Sequence, residues 1–289
     1  MKKSRKQYLQ WLIASLVVWV QHRLNQIHMH SGRPQLALYA FDHVGTRVCA
    51  HGRYEDDELK ALLEFLADNS LIAGDCIDAG ANLGNHSVAF AGHYRSVHAF
   101  EPGSRPFALL SVNAGNFPNI VANRLGLSSN PRTANLVSGA ENIGEGRIAD
   151  HHTAEEVGQL VSLVTVDDYV AQHGLRAGLL KIDVEGHELM VLTGARTVLK
   201  EQAPVVAFEQ SPSDIDDDGG ECTRLLRLHG YSRFYEIVKS PNLGFKPLTM
   251  LACLFIGQTY RMRPIKVFTR KYYPMIVGVS DKSPIGEAA

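Results

Sequence analysis

Residues 75–86, DCIDAGANLGNH, read together with FEP at 100–102, carry the densest information in the chain. A short apolar run ends in a glycine-containing turn, a helix-compatible segment follows, and a second apolar run stops at a carboxylate. Strand, turn, helix, strand and acid, in that order, make a βαβ unit suited to a nucleotide-like ligand. Gly80 and Gly84 permit close backbone approach, because a Cβ would intrude there. Glu101 lies 21 positions after Gly80, where a ribose-binding carboxylate belongs. The glycine spacing is G-x-x-x-G rather than G-x-G-x-x-G, and Asp78 stands just before the turn. A carboxylate at that place repels a pyrophosphate. It suits a cationic ligand with an amino group and a ribose diol but no phosphate.

S-adenosylmethionine is such a ligand. From Gly52 to Glu209 the chain resembles the FkbM family of S-adenosylmethionine-dependent methyltransferases. The resemblance rests on IDAGANLGNHS at 77–87, HAFEPGSRPFALLSVN at 98–113, TVDDYV at 165–170 and LLKIDVEGHELMVLTGA at 179–195, closed by Pro204–Glu209. The blocks run in the family's order across more than half the chain. Two departures stand out: Gly178 replaces a frequent acidic residue, and Leu125, Gly126 and Leu127 replace a more usual Ala-Leu. The resemblance implies hydroxyl acceptors on sugars or polyketide-type natural products.

With 289 residues and 45% apolar composition, the chain has room for one large α/β domain or a domain with an appendage. Its 29 basic and 30 acidic residues give a net charge of −1, which argues against a nucleic-acid partner. Cys49, Cys76, Cys222 and Cys253 are far apart and form no CxxC pair. That excludes a disulfide framework or structural zinc site and fits a reducing compartment.

Apolar runs and helical periods then alternate. Strands are predicted at 75–79, 95–101, 119–125, 160–166, 179–183, 204–209 and 231–238, with helices at 84–93, 104–116 and 187–200. The fold class is α/β: a doubly wound, Rossmann-like, mostly parallel sheet with ligands at the carboxyl ends of its strands. By resemblance the sheet has seven strands, and the last, from Pro274, runs antiparallel. Leu59, Leu62, Leu63 and Leu66 mark an amphipathic helix ahead of it. Residues 35–52 read as short strands or a hairpin, and 130–158 as a variable hairpin or loop over the site. The expected divisions are 1–30, 31–70 and a methyltransferase domain 71–289 with a basic tail insert at 240–272.

Lys2, Lys3, Arg5 and Lys6 precede an apolar run from Leu9 to Val20. Twelve residues of helix span about 18 Å, short of a hydrocarbon core of about 30 Å. An interfacial membrane helix and a buried or oligomerising helix both stay open. A second apolar run, Leu248 to Ile256, precedes Arg261, Arg263, Lys266, Arg270 and Lys271. It reads either as a core helix with a solvated basic loop or as a surface for an anionic membrane or substrate. On the membrane readings, peripheral contact falls on residues 1–24 and 248–271. A cytoplasmic site, at the membrane face or free, follows from the cofactor's cytosolic origin.

Asp78, Gly80, Asn82 and Gly84 form the expected cofactor loop, and Glu101 the acceptor for both ribose hydroxyls. Lys181, Asp183, Glu185 and His187 sit at the next strand end, opposite the methyl group. Methyl transfer requires alignment and removal of the acceptor's proton. Asp183 and Glu185 suit a base or a divalent-cation site. His187 has a suitable ordinary pKa of about 6.5, and its other reading is packing at a helix start. Lys181 is expected to pair with Asp183 or a neighbouring acid, since an unpaired buried lysine is costly. Glu188 suits the positive end of a helix. Glu209 joins Asp183 as the pair that would hold a metal, although none is expected to be required. The loop from Asp214 to Gly219 mimics an EF-hand start, but Leu225 stands where the bidentate Glu belongs.

An O-methyltransferase acting on a sugar, glycan or lipid-linked saccharide is the leading reading. A nicotinamide oxidoreductase lacks its glycine pattern. A silent S-adenosylmethionine-binding membrane module is opposed by the intact Asp183 and Glu185.

Overall fold

A computed structural model describes residues 4–31, 34–40, 42–138, 146–149, 158–242 and 244–283. The chain divides into two compact units, residues 1–55 and 56–289.

In the first unit, helix α1 runs from Arg5 to His30 and opens with a reciprocal cap. Ser4 Oγ accepts from the Gln7 amide at 3.3 Å, and Gln7 Oε1 accepts from the Ser4 amide at 2.9 Å. None of its residues is buried, and Leu16, Val18 and Trp19 are all exposed. Among the described residues, no helix is long and apolar enough to cross a membrane. Residues 43–51 correct the hairpin expectation. They form helix α2 (His43–His51), capped by Asp42, whose carboxylate accepts from Val44 and Gly45.

The second unit opens with α3 (Asp56–Asp68), which buries Leu59, Leu62 and Leu66. Then come β1 (Asp75–Ala79), α4 (Asn85–Phe90), β2 (Val97–Phe100), α5 (Ser104–Ala114) and β3 (Ile120–Asn123). The middle of the chain gives β4 (Gly126–Leu127), β5 (Arg132–Ser138), β6 (Gly146–Ala149), β7 (Gln159–Val164) and α6 (Val166–His173). Next are β8 (Ala177–Ile182), α7 (Glu188–Thr193), α8 (Arg196–Glu201), β9 (Val205–Gln210) and α9 (Gly220–Leu228). The chain closes with β10 (Tyr231–Ser240), α10 (Lys246–Ile256), β11 (Thr259–Pro264) and β12 (Tyr273–Ser280).

The main sheet has the order β11-β10-β12-β9-β8-β1-β2-β3. From β9 to β3 all pairings are parallel, whereas β12 runs antiparallel to both β9 and β10. Eight strands replace the expected seven because residues 259–264 of the basic tail are not loop. They pair with the far half of β10, Tyr260 opposite Lys239 and Arg263 opposite Glu236. Helices and sheet enclose a core that includes Ile77, Phe100, Leu180, Ile182, Val206 and Phe208. Such residues on parallel strands give near-continuous burial, as in β1, where every position is buried.

Beyond β3 the chain leaves this sheet and builds a second one, β4-β7-β5-β6, over Ala134, Leu136, Val161 and Leu163. The 130–158 region thus contains the β5–β6 hairpin, while residues 139–145 and 150–157 lie outside the described residues. The single helix expected at 187–200 is broken into α7 and α8 around Gly194 and Ala195. Asp167 stabilises the second piece, its carboxylate accepting from the Thr197 and Val198 amides at 2.9 Å each. Gly178 has a steric reason. A Cβ there would lie 1.6 Å from the Ala73 carbonyl oxygen.

Of the two readings of residues 248–256, the core helix is the one overturned. Helix α10 forms, but not as core: none of its described residues is buried. It lies between β10 and the edge strand β11 in sequence.

Candidate functional site

Parallel register brings the predicted residues to one end of the sheet. β1 lies between β2 and β8, with Asp78 opposite Ala99 on one side and Lys181 on the other. The chain leaving β1 donates the Gly80 and Ala81 amides to the Phe100 carbonyl at 3.0 and 2.9 Å. The loop after β1 is thereby fixed against the end of β2. Glu101 completes the fixation, accepting the Asn82 amide at 3.0 Å on one oxygen and the Gly103 amide at 2.7 Å on the other. The residue is only 7% exposed. Burial pushes its pKa up to about 7, against the pull of these two amides. Gln159 fastens the same corner from the second sheet, its Oε1 accepting from the Ser104 amide and hydroxyl at 3.0 and 2.8 Å.

The glycines act partly as expected. Gly84 starts α4 with a φ of 90°. At Gly80 (φ 74°) a Cβ would lie 1.7 Å from the Asp183 carbonyl oxygen. The close approach made there is to the end of β8, so the loop after β1 and the turn after β8 share one surface. Asn82 takes a φ of 50°, a left-handed conformation that asparagine tolerates.

Asp78 is wholly buried, and the chain itself engages its carboxylate. Ser87 donates to one oxygen at 2.6 Å, and the Lys181 ammonium stands 3.2 Å from the other. Lys181, itself 3% exposed, also lies 3.3 Å from Asp183 Oδ2 and donates to the Gly80 carbonyl at 3.4 Å. One buried cation therefore links a carboxylate of the first loop to one of the second. Two acids and a carbonyl offset its desolvation.

Past Lys181 the site opens. The register that sets Ile182 opposite Phe208 carries on to bring Asp183 beside Glu209, and the two carboxyls share a hydrogen bond. Burial works to raise Asp183, but the Lys181 ammonium, the Glu209 hydrogen bond and the neighbouring His86 hold it below the usual range. Glu209 goes the other way. Burial, the Asp183 charge and the hydrogen bond that Glu209 donates to Asp183 push it up to about 8, while the Tyr272 hydroxyl donates to it in opposition. Near neutrality the pair holds one proton and one negative charge. The Asp183 side chain keeps 34% of its surface open to solvent. The pair can take up a proton from a neighbour.

The remaining candidates occupy the turn after β8. Glu185 is exposed and takes a φ of 52°, with Gly186 following at 89°. Glu188, buried at the start of α7, folds its carboxylate back over this turn and accepts from the Val184 and Gly186 amides at 3.2 Å each. Burial raises its pKa despite these bonds. His187 is buried, with Nε2 2.9 Å from the hydroxyl of the wholly buried Ser128. That contact ties the turn to the residue just after β4. Sequence reading missed Ser87, Ser128 and Tyr272. The first lies inside the IDAGANLGNHS block and was open to discovery, whereas the other two meet their partners only through long-range folding.

Among the described residues, no group of three or more His, Cys, Asp or Glu side chains is placed to hold a metal ion. The loop that mimics an EF-hand is built otherwise. Asp216 caps the approach to α9, accepting from Asp218 and Gly220, and pairs with Arg224 at 2.5 Å.

A family model described as the methyltransferase FkbM domain matches residues 78–233. The chain is 29% identical to the hexuronic acid methyltransferase AglP of Haloferax volcanii, over 51% of this chain and 59% of that protein. It is 32% identical to the 31-O-demethyl-FK506 methyltransferase FkbM of Streptomyces tacrolimicus, over 55% of this chain and 73% of that protein. A crystal structure of methyltransferase FkbM from Methylobacillus flagellatus KT is similar with a TM-score of 0.39 and 16% identity, covering 71% of this chain and 43% of that one.

Proposed function

Because the chain belongs to the FkbM methyltransferase family, we propose that it methylates a hydroxyl oxygen of a sugar, glycan or lipid-linked saccharide, using S-adenosylmethionine. The observation that carries this reading is Glu101. It is a buried carboxylate at the end of β2, each oxygen held by one backbone amide of a flanking loop. A carboxylate has about four lone-pair sites, so two remain for the hydroxyls of a ribose diol. The donor set fits the cofactor. No phosphate-binding glycine pattern is present, and the nearby carboxylates outnumber the cation Lys181, which is held between Asp78 and Asp183.

The bound cofactor supplies a methyl group activated by its sulfonium. The chain's own residues do the rest. Glu101 and the Asn82 amide fix the ribose end of the pocket. Asp78, Ser87 and Lys181 hold the first loop rigid, a positioning role for Asp78 rather than direct contact. Asp183, oriented by Lys181, faces the open side and carries the pair's negative charge toward the acceptor hydroxyl while Glu209 holds the pair's proton. Loss of that Glu209 proton near pH 8 frees the pair to take up the proton that the acceptor gives up. Glu185, on the exposed turn, contacts the acceptor.

The relative named for hexuronic acid supports a sugar acceptor. The relative named for 31-O-demethyl-FK506 favours a second reading, the hydroxyl of a polyketide-type natural product. Incubation with methyl-labelled S-adenosylmethionine and a panel of uronic-acid glycosides, neutral glycosides and macrolides separates them. Label on a sugar hydroxyl, lost in Asp183→Asn, is the expected result. Label on the macrolides alone would replace the first reading with the second. A folded protein that binds no S-adenosylhomocysteine would overturn both.

A further inference from the structure

Between Pro241 and Ser280 the chain carries no Asp or Glu, yet it carries Lys246, Arg261, Arg263, Lys266, Arg270 and Lys271. Helix α10 lies inside this segment and shows its apolar side chains to solvent. Leu254 is 82% exposed, Phe255 81% and Ile256 74%, and Val267, beyond β11, is 74% exposed. Soluble chains rarely leave so many large apolar groups together without a partner. Cations follow them along the chain. Arg261 and Arg263 fall on one face of β11 by the two-residue period, and both are exposed, as are Lys266, Arg270 and Lys271. Glu236 engages two of the five, Arg263 at 2.6 Å and Lys271 at 2.5 Å. On the α3 side Glu58 pairs with Lys239 and Asp57 lies near Tyr260, so the excess of cations falls at Arg261, Lys266 and Arg270.

We propose that α10 and the segment from β11 to β12 form a docking face for the anionic surface of a lipid bilayer. Leu254, Phe255, Ile256 and Val267 enter the boundary between headgroups and acyl chains, while Arg261, Lys266 and Arg270 meet the negative headgroups. Charge selects this occupant. A second copy seated on the same face by two-fold symmetry would set cation against cation. A nucleic acid would leave the apolar helix uncovered. The face ends at Tyr272, whose hydroxyl donates to Glu209, so docking brings the Asp183–Glu209 side of the site to the membrane surface. The proposal stands whichever hydroxyl the site methylates.

Vesicle flotation of the full chain tests it, with phosphatidylcholine vesicles containing or lacking phosphatidylserine. Binding is expected only with phosphatidylserine and falls as salt rises. The triple variant R261A/K266A/R270A should bind about a hundredfold more weakly, about fivefold per cation. L254D/F255D should lose binding, while L16D/V18D in α1 keeps the phosphatidylserine dependence. These positions are exposed, so circular dichroism should report an unchanged fold in each. Vesicle binding by L254D/F255D and the triple variant equal to the original would overturn the proposal. So would an original chain that ignores both vesicle types and forms a dimer that L254D/F255D dissociates.

Discussion

Strand β1 carries two aspartates three residues apart, Asp75 at its start and Asp78 near its end, and both are wholly buried. The two ends of the strand meet those charges differently. At the amino end Asp75 receives Arg95, the Ser96 hydroxyl at 2.7 Å and the Arg176 amide at 2.9 Å. Burial works to raise its carboxyl, yet these donors together hold it below the usual range. The cation that answers it reaches in from the surface, the Arg95 side chain being 65% exposed. At the carboxyl end the cation is Lys181, 3% exposed and shared between Asp78 and Asp183. Asp183 is in turn coupled to Glu209 and open to solvent. One end is saturated and closed. The other keeps a transferable proton beside an opening, at the end of the sheet where α/β folds bind ligands.

Removing the cation at each end should break the symmetry most visibly. Lys181→Met leaves Asp78 buried and unpaired, so urea denaturation should show a loss of about 3–5 kcal/mol together with loss of methyl transfer. Adding Asp78→Asn to it should restore part of the stability, because a neutral amide no longer needs the ammonium. Arg95→Ala should cost less and leave cofactor affinity unchanged. Next in size is Glu101→Ala, which removes a carboxylate from the cofactor end. Affinity for S-adenosylhomocysteine should fall about a hundredfold, the worth of one or two charge-assisted bonds.

The pH dependence of stability separates the acids of the carboxyl end. Glu209 keeps its proton to about pH 8 when folded, against an ordinary value of 4.5. The folded state therefore binds more protons across that window, and Glu209's stabilising share is whole below about 4.5 and gone above about 8. Glu101 acts in the same sense but only up to about 7. Asp183, held below its usual range, stabilises above its ordinary value and loses that share as pH falls through its folded one. In Glu209→Gln the decline of stability with pH should end near 7 instead of 8, measured by denaturation across pH. The rate–pH profile of methyl transfer should lose its rise near 8 in the same variant. The smallest effect is expected at Ser128→Ala. It removes the hydroxyl 2.9 Å from His187 Nε2 and should cost about 1 kcal/mol without changing the transfer rate.

The carboxyl end was legible in the sequence because local signals converge there. A strand, a glycine turn and an acid recur after β1, β2 and β8, and strand polarity sends all of them to one edge. The pairing of Lys181 with a neighbouring acid followed from the cost of burying it alone. What local reading missed depends on partners far along the chain. β11 becomes a strand only because β10 runs long enough to pair with it. Tyr272 reaches Glu209 only because β12 lies against β9. Helix α10 has the composition of a core helix, and composition does not say whether the fold buries it. Helix α2 is a different case. Asp42 as a cap and Val44 and Val48 at helical spacing stood in the sequence, outweighed by the strand-like residues around them.

Calorimetry with S-adenosylhomocysteine on the original chain, Glu101→Ala, Glu209→Gln and Arg95→Ala tests most directly whether the carboxyl end of the sheet is the cofactor end. Binding should collapse in Glu101→Ala and stay within about threefold in the other two. Equal weakening in Glu101→Ala and Arg95→Ala, or full affinity without Glu101, would contradict the account.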